Sequence, residues 1–144
     1  MEDPTREITK VYSLITMPSS AQAQRAAVER YFTPEAGFMH PMVKVLPGPG
    51  SRERILGIHQ YYHIVSTSAP GDLTIRSVLF NREHGVLDLE VIQRFHLRFS
   101  PFKAKPARLL VRLTLQKHAG LHYISMQEDF YHPEDLVSLF LPPL

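Results

Sequence analysis

The chain has 144 residues, no cysteine, and 16 Lys and Arg against 14 Asp and Glu, for a formal charge of +2. That length suits one domain, residues 1–144, with a continuous core, and the missing cysteines exclude a disulfide scaffold, a thiolate metal site and a cysteine nucleophile. At 44% hydrophobic and 21% charged the composition is that of a globular chain.

The polar opening MEDPTREITK is no secretory signal, and no apolar run approaches the roughly 20 residues that span a bilayer. A soluble, cytoplasmic protein is the expectation. Asp3-Pro4 reads as a helix cap followed by proline at the first helical position, and Ile8, Val11, Tyr12 and Ile15 recur at helical spacing up to Met17-Pro18. Ser19 and Ser20 are caps for a second helix, AQAQRAAVERYF, with a small-residue face of Ala23, Ala27 and Val28 leading to Tyr31. GFMHPMVKV is rich in β-formers and reads as a first strand, with Pro41 confining it to an edge or bulge. After LPGPG, Ser51 caps a third helix striped by Ile55, Ile58, Tyr62 and Val65, with His59 at the border of the stripe.

From Gly71 the period becomes two, giving four longer strands around Leu73-Ile75, Leu87-Leu89-Val91, Leu109 to Leu115 and Tyr123 onward, with turns at REHG and KHAG. Pro133, Glu134 and Asp135 then open a short terminal helix. The order predicts an α+β fold, a curved antiparallel sheet wrapped around N-terminal helices as an α-α-β-α-β-β-β-β cone with a short C-terminal helix.

That order, with RYFTPEAGFMHPMVKV after the second helix and YISMQEDFYHPEDLVSLFLP at the end, resembles the nuclear transport factor 2-like superfamily of ketosteroid isomerase and SnoaL-type cyclase folds, most of all its fungal SigF-like branch. The resemblance implies a conical pocket between the sheet and the helices, and often a dimer through the sheet's outer face. Isomerases, cyclases, dehydratases and pure binding modules share this shape, so it implies no single function. Where the ketosteroid isomerase family carries its catalytic aspartate, in the first strand, this chain offers only His40.

Acid-base chemistry in such a pocket needs a buried carboxylate and a hydroxyl to steady an oxyanion. Tyr12, Tyr31 and Tyr62 fall on apolar helix faces, where they are core residues or hydroxyl donors. Alternation puts Gln93 as the lone polar residue on the apolar face of VLDLEVIQRFHLRF, and groups Tyr123, Ser125, Gln127 and Asp129 in the last strand. With Phe38, His40 and His59 these residues are the candidate pocket lining, and Asp129 and His40 are the candidate catalytic groups. The alternative for Asp129 is a loop cap beyond the sheet. His59 and His63 share a helix face four residues apart, but no third ligand is spaced to join them, so neither a metal site nor a cofactor is expected. No phosphate-cradling glycine loop or dinucleotide fingerprint is present.

In RFHLRFSPFKAKPARLLVR basic residues alternate with Phe95, Phe99 and Phe102. This reads as a solvated outer face, or as an anionic-membrane contact through Phe102, Lys103 and Lys105; acids such as Asp88 and Glu90 on the same strand face argue against nucleic acid. The apolar LVSLFLPPL either folds over the pocket's mouth or leads beyond Leu144 into a further hydrophobic segment. The functional expectation is a domain, monomer or homodimer, that binds a hydrophobic small molecule or lipid, peripheral to a membrane. A cofactor-free isomerase, cyclase or dehydratase is the second reading and a sheet-mediated dimerisation module the third. If Asp129 and His40 enter one cavity with a tyrosine in reach, the enzyme reading gains.

Overall fold

The computed structural model describes residues 1–67, 69 and 71–139. Helices α1 (Pro4–Thr16), α2 (Ala21–Tyr31) and α3 (Ser51–Val65) interleave with β1 (Phe32–His40) and β2 (Val43–Val45). After them come β3 (Ser66–Thr67), β4 (Leu73–Asn81), β5 (Val86–Leu97), β6 (Lys105–His118), β7 (Leu121–Tyr131) and α4 (Pro133–Ser138). The fold is α+β: one curled sheet in the order β2-β1-β7-β6-β5, with β3 and β4 both pairing the far edge of β5. The pairings are antiparallel, as expected of the longer strands, but β1 runs parallel to β7.

Each helix begins where its capping chemistry allows. The Asp3 carboxylate accepts from the Arg6 amide, and the Ser20 hydroxyl accepts from the Ala23 amide at 3.0 Å. Met17 stops α1, and the buried Gln24 ties its end to α2 by donating to the Ile15 carbonyl at 2.7 Å. Helix α3 is capped one residue earlier than its serine suggests: Gly50 takes the left-handed conformation at φ 75°, and Ser51 is the first helical residue. The stripes Ile8, Val11 and Ile15 of α1, Val28 of α2, and Ile55 and Leu56 of α3 are buried against Leu87, Leu89, Val91, Val111, Leu113 and Ile124 of the sheet. Each such side chain stabilises the fold by about 1.5–3 kcal/mol relative to exposure.

Two strands differ from the expected pattern. The segment expected as one strand, 37–45, is a hairpin that starts earlier, at Phe32; Pro41 lacks an amide and sits in its turn, where the Met42 amide donates to His40 Nδ1 at 3.1 Å. In β7, Leu113 pairs with Gln127 and Thr114 with Met126, but Leu115 pairs with Ile124, which leaves Ser125 without a partner. Ser125 is a β-bulge, and its hydroxyl donates to the Thr114 carbonyl at 3.1 Å. Beyond a bulge the alternation reverses, so the buried positions are Ile124 and then Gln127, three apart.

Gly37 marks where β1 resumes pairing with β7 after an irregular stretch from Phe32. A Cβ there would lie 2.6 Å from Met126 Cε and 2.9 Å from Pro47 Cγ. The methionine can swing aside but the proline ring is held, so Gly37→Ala is expected to lower the unfolding free energy by about 1–3 kcal/mol. Chemical denaturation reads this directly, and Met126→Ala in the same chain should recover only part of the loss.

Candidate functional site

A cavity of about 90 Å³ opens between the concave sheet and the helices. That is room for several waters' worth of ligand, well short of an extended acyl chain. Tyr12 and Thr16, one turn apart, reach it from α1; Phe38 and His40, two apart, from β1; His59, Tyr62 and His63 from α3. On the far wall β5 contributes Gln93 and Phe95, and β7 contributes Gln127, Asp129 and Tyr131, each set following strand alternation. Leu136 and Leu139 close one side from α4.

Helix α4 has only 6 residues and would not persist alone. It is docked by Asp135, whose carboxylate accepts from the Arg108 backbone amide at 3.0 Å and from its Nε at 2.8 Å, while Glu134 takes the Nη2 at 3.2 Å. The leucines therefore sit over the cavity because a polar clamp on β6 holds their helix there. Residues 140–144, the remainder of the apolar tail, lie outside the described residues.

The cavity is lined with rings that touch in a chain. His40 stands 5.2 Å from Tyr131 and 5.8 Å from Tyr62, Phe38 is 5.5 Å from His59, and Tyr62 is 6.2 Å from Phe95. Among these rings lies one carboxylate. Burial pushes the Asp129 carboxyl up to about 7, although the Gln127 amide donates to its Oδ1 at 3.0 Å and favours the charged form. Among the described residues no lysine or arginine joins the lining. Burial, followed by the Asp129 charge, raises Tyr12, Tyr62 and Tyr131 above the ordinary phenol value, which keeps their hydroxyls protonated as donors.

Two of the three cavity histidines, His40 and His59, are held neutral. Burial lowers His40, and its Nδ1 accepts the Met42 amide, so its proton resides on Nε2. Burial, and then the neighbouring His40, bring His59 down to about 4. The His59 Nε2 is buried with no hydrogen-bond partner among the described residues.

Eight of the eleven residues expected in the pocket line this cavity together: Tyr12, Phe38, His40, His59, Tyr62, Gln93, Gln127 and Asp129. Three do not. Tyr123 and Ser125 are sent away by the bulge and line a separate groove with Pro34 and Gln116. Tyr31, at the end of α2, packs on the core edge with the Arg30 guanidinium 5.1 Å from its ring. Tyr131 and Phe95 were not expected in the lining, though each continues an alternation already identified, from Gln127 and Asp129 and from Gln93. Thr16, Met42, Ser66 and the two leucines carried no such signal. Phe102, Lys103 and Lys105 sit with Phe95 and Leu139 around a small cleft that adjoins the cavity. Among the described residues no helix is long and apolar enough to cross a membrane.

A family model for the SigF NTF2-like domain matches residues 1–144. No curated protein matches the chain. Among solved structures, a ketosteroid isomerase-like protein of Catenulispora acidiphila in complex with trimethylamine is 16% identical, with 96% of this chain and 95% of that one covered and a TM-score of 0.70. A protein of Jannaschia sp. named for SnoaL-like polyketide cyclases is 13% identical, over 96% and 94% of the two chains, at 0.66. The epoxide hydrolase/cyclase-like enzyme SalBIII, of pyran-ring formation in salinomycin, is 14% identical, over 94% and 97%, at 0.65. At these identities the likeness is one of fold.

Proposed function

From the chain's place in the SigF NTF2-like domain family, to which it belongs, and from the Asp129 carboxylate in its aromatic cavity, we propose a cofactor-free acid-base enzyme acting on a small, mostly apolar molecule. The observation that carries this is the convergence of Asp129 and His40 in one cavity with Tyr12, Tyr62 and Tyr131. A carboxyl held near neutrality by burial is both a competent base and a competent acid at physiological pH. In the proposed step the Asp129 carboxylate takes a proton from a carbon beside a carbonyl, a tyrosine hydroxyl or the His40 Nε2–H donates to the carbonyl oxygen as charge collects there, and the carboxyl returns the proton elsewhere on the same molecule. Such a transfer serves isomerisation, and with loss of water or ring closure it serves dehydration or cyclisation. SnoaL-like cyclases and SalBIII, neighbours in fold, are named for reactions of that kind.

The test is proton abstraction without a known substrate. Small cyclic enones and diketones are incubated with the protein in heavy water, and α-deuteration is followed by NMR. Catalysed exchange in some of the panel is expected. Binding of those compounds without exchange would return the domain to a pure ligand-holding role, which shares the cavity but leaves Asp129 idle. The cavity's small volume supports a compact ligand over a lipid. A dimerisation module has less support, because Arg112 and Asp88 form a 2.9 Å ion pair on the outer sheet face.

A membrane-surface role rests on a different feature. Phe99 is 92% and Phe102 is 42% exposed, in a loop that also carries Arg98 and Lys103 and leads into Lys105 at the start of β6. Exposed aromatics among basic residues suit an anionic bilayer, each charge adding about 1 kcal/mol near the surface. Wild-type protein is expected to float with phosphatidylserine vesicles, and the triple variant Phe102→Ser, Lys103→Glu, Lys105→Glu to lose at least tenfold in the bound fraction. Equal flotation of the two, or none by the wild type, removes the role.

A further inference from the structure

The cavity has an electrostatic sign. Phe38, Tyr62, Phe95 and Tyr131 present ring systems to it, and aromatic faces carry negative potential. Among the described residues Asp129 is the only acid in the lining, with no lysine or arginine beside it. Burial keeps His40 and His59 neutral, so neither of them supplies the missing charge. An anion entering would meet like charge and no counter-ion. A neutral molecule would gain packing alone, whereas a compact organic cation would gain ring faces and a carboxylate together.

We infer that the ligand of this cavity carries a compact alkylated ammonium group, seated among Phe38, Tyr62, Phe95 and Tyr131 with Asp129 as its counter-ion. The inference rests on the cavity's being the ligand site and is independent of whether Asp129 also moves a proton. An alkylated ammonium fits better than a primary one. The Gln127 amide already occupies Asp129 Oδ1, so few acceptors remain for three N–H donors, while methyl groups need only contact with rings. A cavity of about 90 Å³ suits such a head group.

Choline and 3,3-dimethylbutan-1-ol have the same shape and differ by the charge, so titrating each against the whole chain by calorimetry isolates the cation's share. At about pH 8, where Asp129 is ionised, choline is expected to bind at least tenfold more tightly than the alcohol. The preference should shrink at about pH 5.5 and vanish in Asp129→Asn. The other titratable groups facing the cavity are Tyr12 from α1, His40 from β1, His59, Tyr62 and His63 from α3, and Tyr131 from β7. Positive charge on any of the histidines would oppose a bound cation in the same direction as protonation of Asp129, and the comparison with Asp129→Asn separates the two. Phe95→Leu and Tyr131→Leu remove a ring face without emptying the site and should weaken choline more than the alcohol, which keeps the test decisive if Asp129→Asn fails to fold. The alcohol binding as well as choline at the higher pH, or a preference that survives in Asp129→Asn, overturns the inference while leaving the ligand site intact. If neither compound nor any of the carbonyl panel binds, the cavity is not a ligand site and both readings fall together.

Discussion

Asp129→Asn is expected to slow α-proton exchange at least a hundredfold, the lower end of what a positioned general base contributes. Asparagine keeps the shape and the hydrogen-bonding partner, since Gln127 can present its carbonyl in place of its amide, so the loss would reflect the proton-accepting oxygen. The wild-type rate should climb with pH up to about 7, as burial-raised Asp129 ionises, and then level. Exchange in the variant should be flat over that range. If the variant retains wild-type exchange, or the wild-type profile levels near the ordinary carboxylate range, Asp129 is not the base.

The second large effect is on stability, where two buried groups work against each other. The folded state holds the Asp129 proton up to about 7, against an unperturbed value of 3.8, so stability falls as pH rises from about 4 to 7. His59 has the opposite sign: its folded value near 4 lies below 6.5, so the unfolded chain binds the proton more readily and stability rises with pH over nearly the same window. Each slope is at most about 1.4 kcal/mol per pH unit, and between about 4 and 6.5 they largely cancel. Urea unfolding across this window should therefore show less pH dependence for the wild type than for either single variant. Relative to wild type, Asp129→Asn should gain stability as pH rises, by at most about 4 kcal/mol above pH 7, because an ionised carboxylate is no longer held in the cavity. His59→Gln should gain as pH falls. Parallel curves for all three proteins would show that neither group is desolvated as the fold implies.

The architecture was legible because its signals are local. Proline and serine caps mark α1, α2 and α4, and the run Leu109, Val111, Leu113, Leu115 alternates in burial as strand periodicity requires. The cavity was legible where strands are regular: Gln93 and Asp129 were placed by counting in twos. It was illegible where the count breaks. Nothing in YISMQEDFY announces that Ser125 stands outside the ladder, because a bulge is decided by the partner strand and by the hydroxyl that satisfies the freed carbonyl. The parallel pairing of β1 with β7 joins segments some ninety residues apart in sequence and has no local signature either. Leu136 and Leu139 reach the cavity only through the Arg108 clamp, a tertiary contact that an amphipathic pattern in a 6-residue helix cannot express.

The bulge also shows what guards the pocket's contents. Ile124 pairs with the inward Leu115 and Gln127 with the inward Leu113, so with Ser125 set outside the ladder the residues on either side keep the facing that their β6 partners dictate. Losing the bulged residue would leave Gln127, Asp129 and Tyr131 turned to the cavity as long as the register with β6 held. A slip of the lower part of β7 by one residue along β6 would instead carry Glu128 and Phe130 inward and Asp129 out. The interior acid is therefore kept in place by the alignment of two strands, and a bulge that absorbs an extra residue protects that alignment.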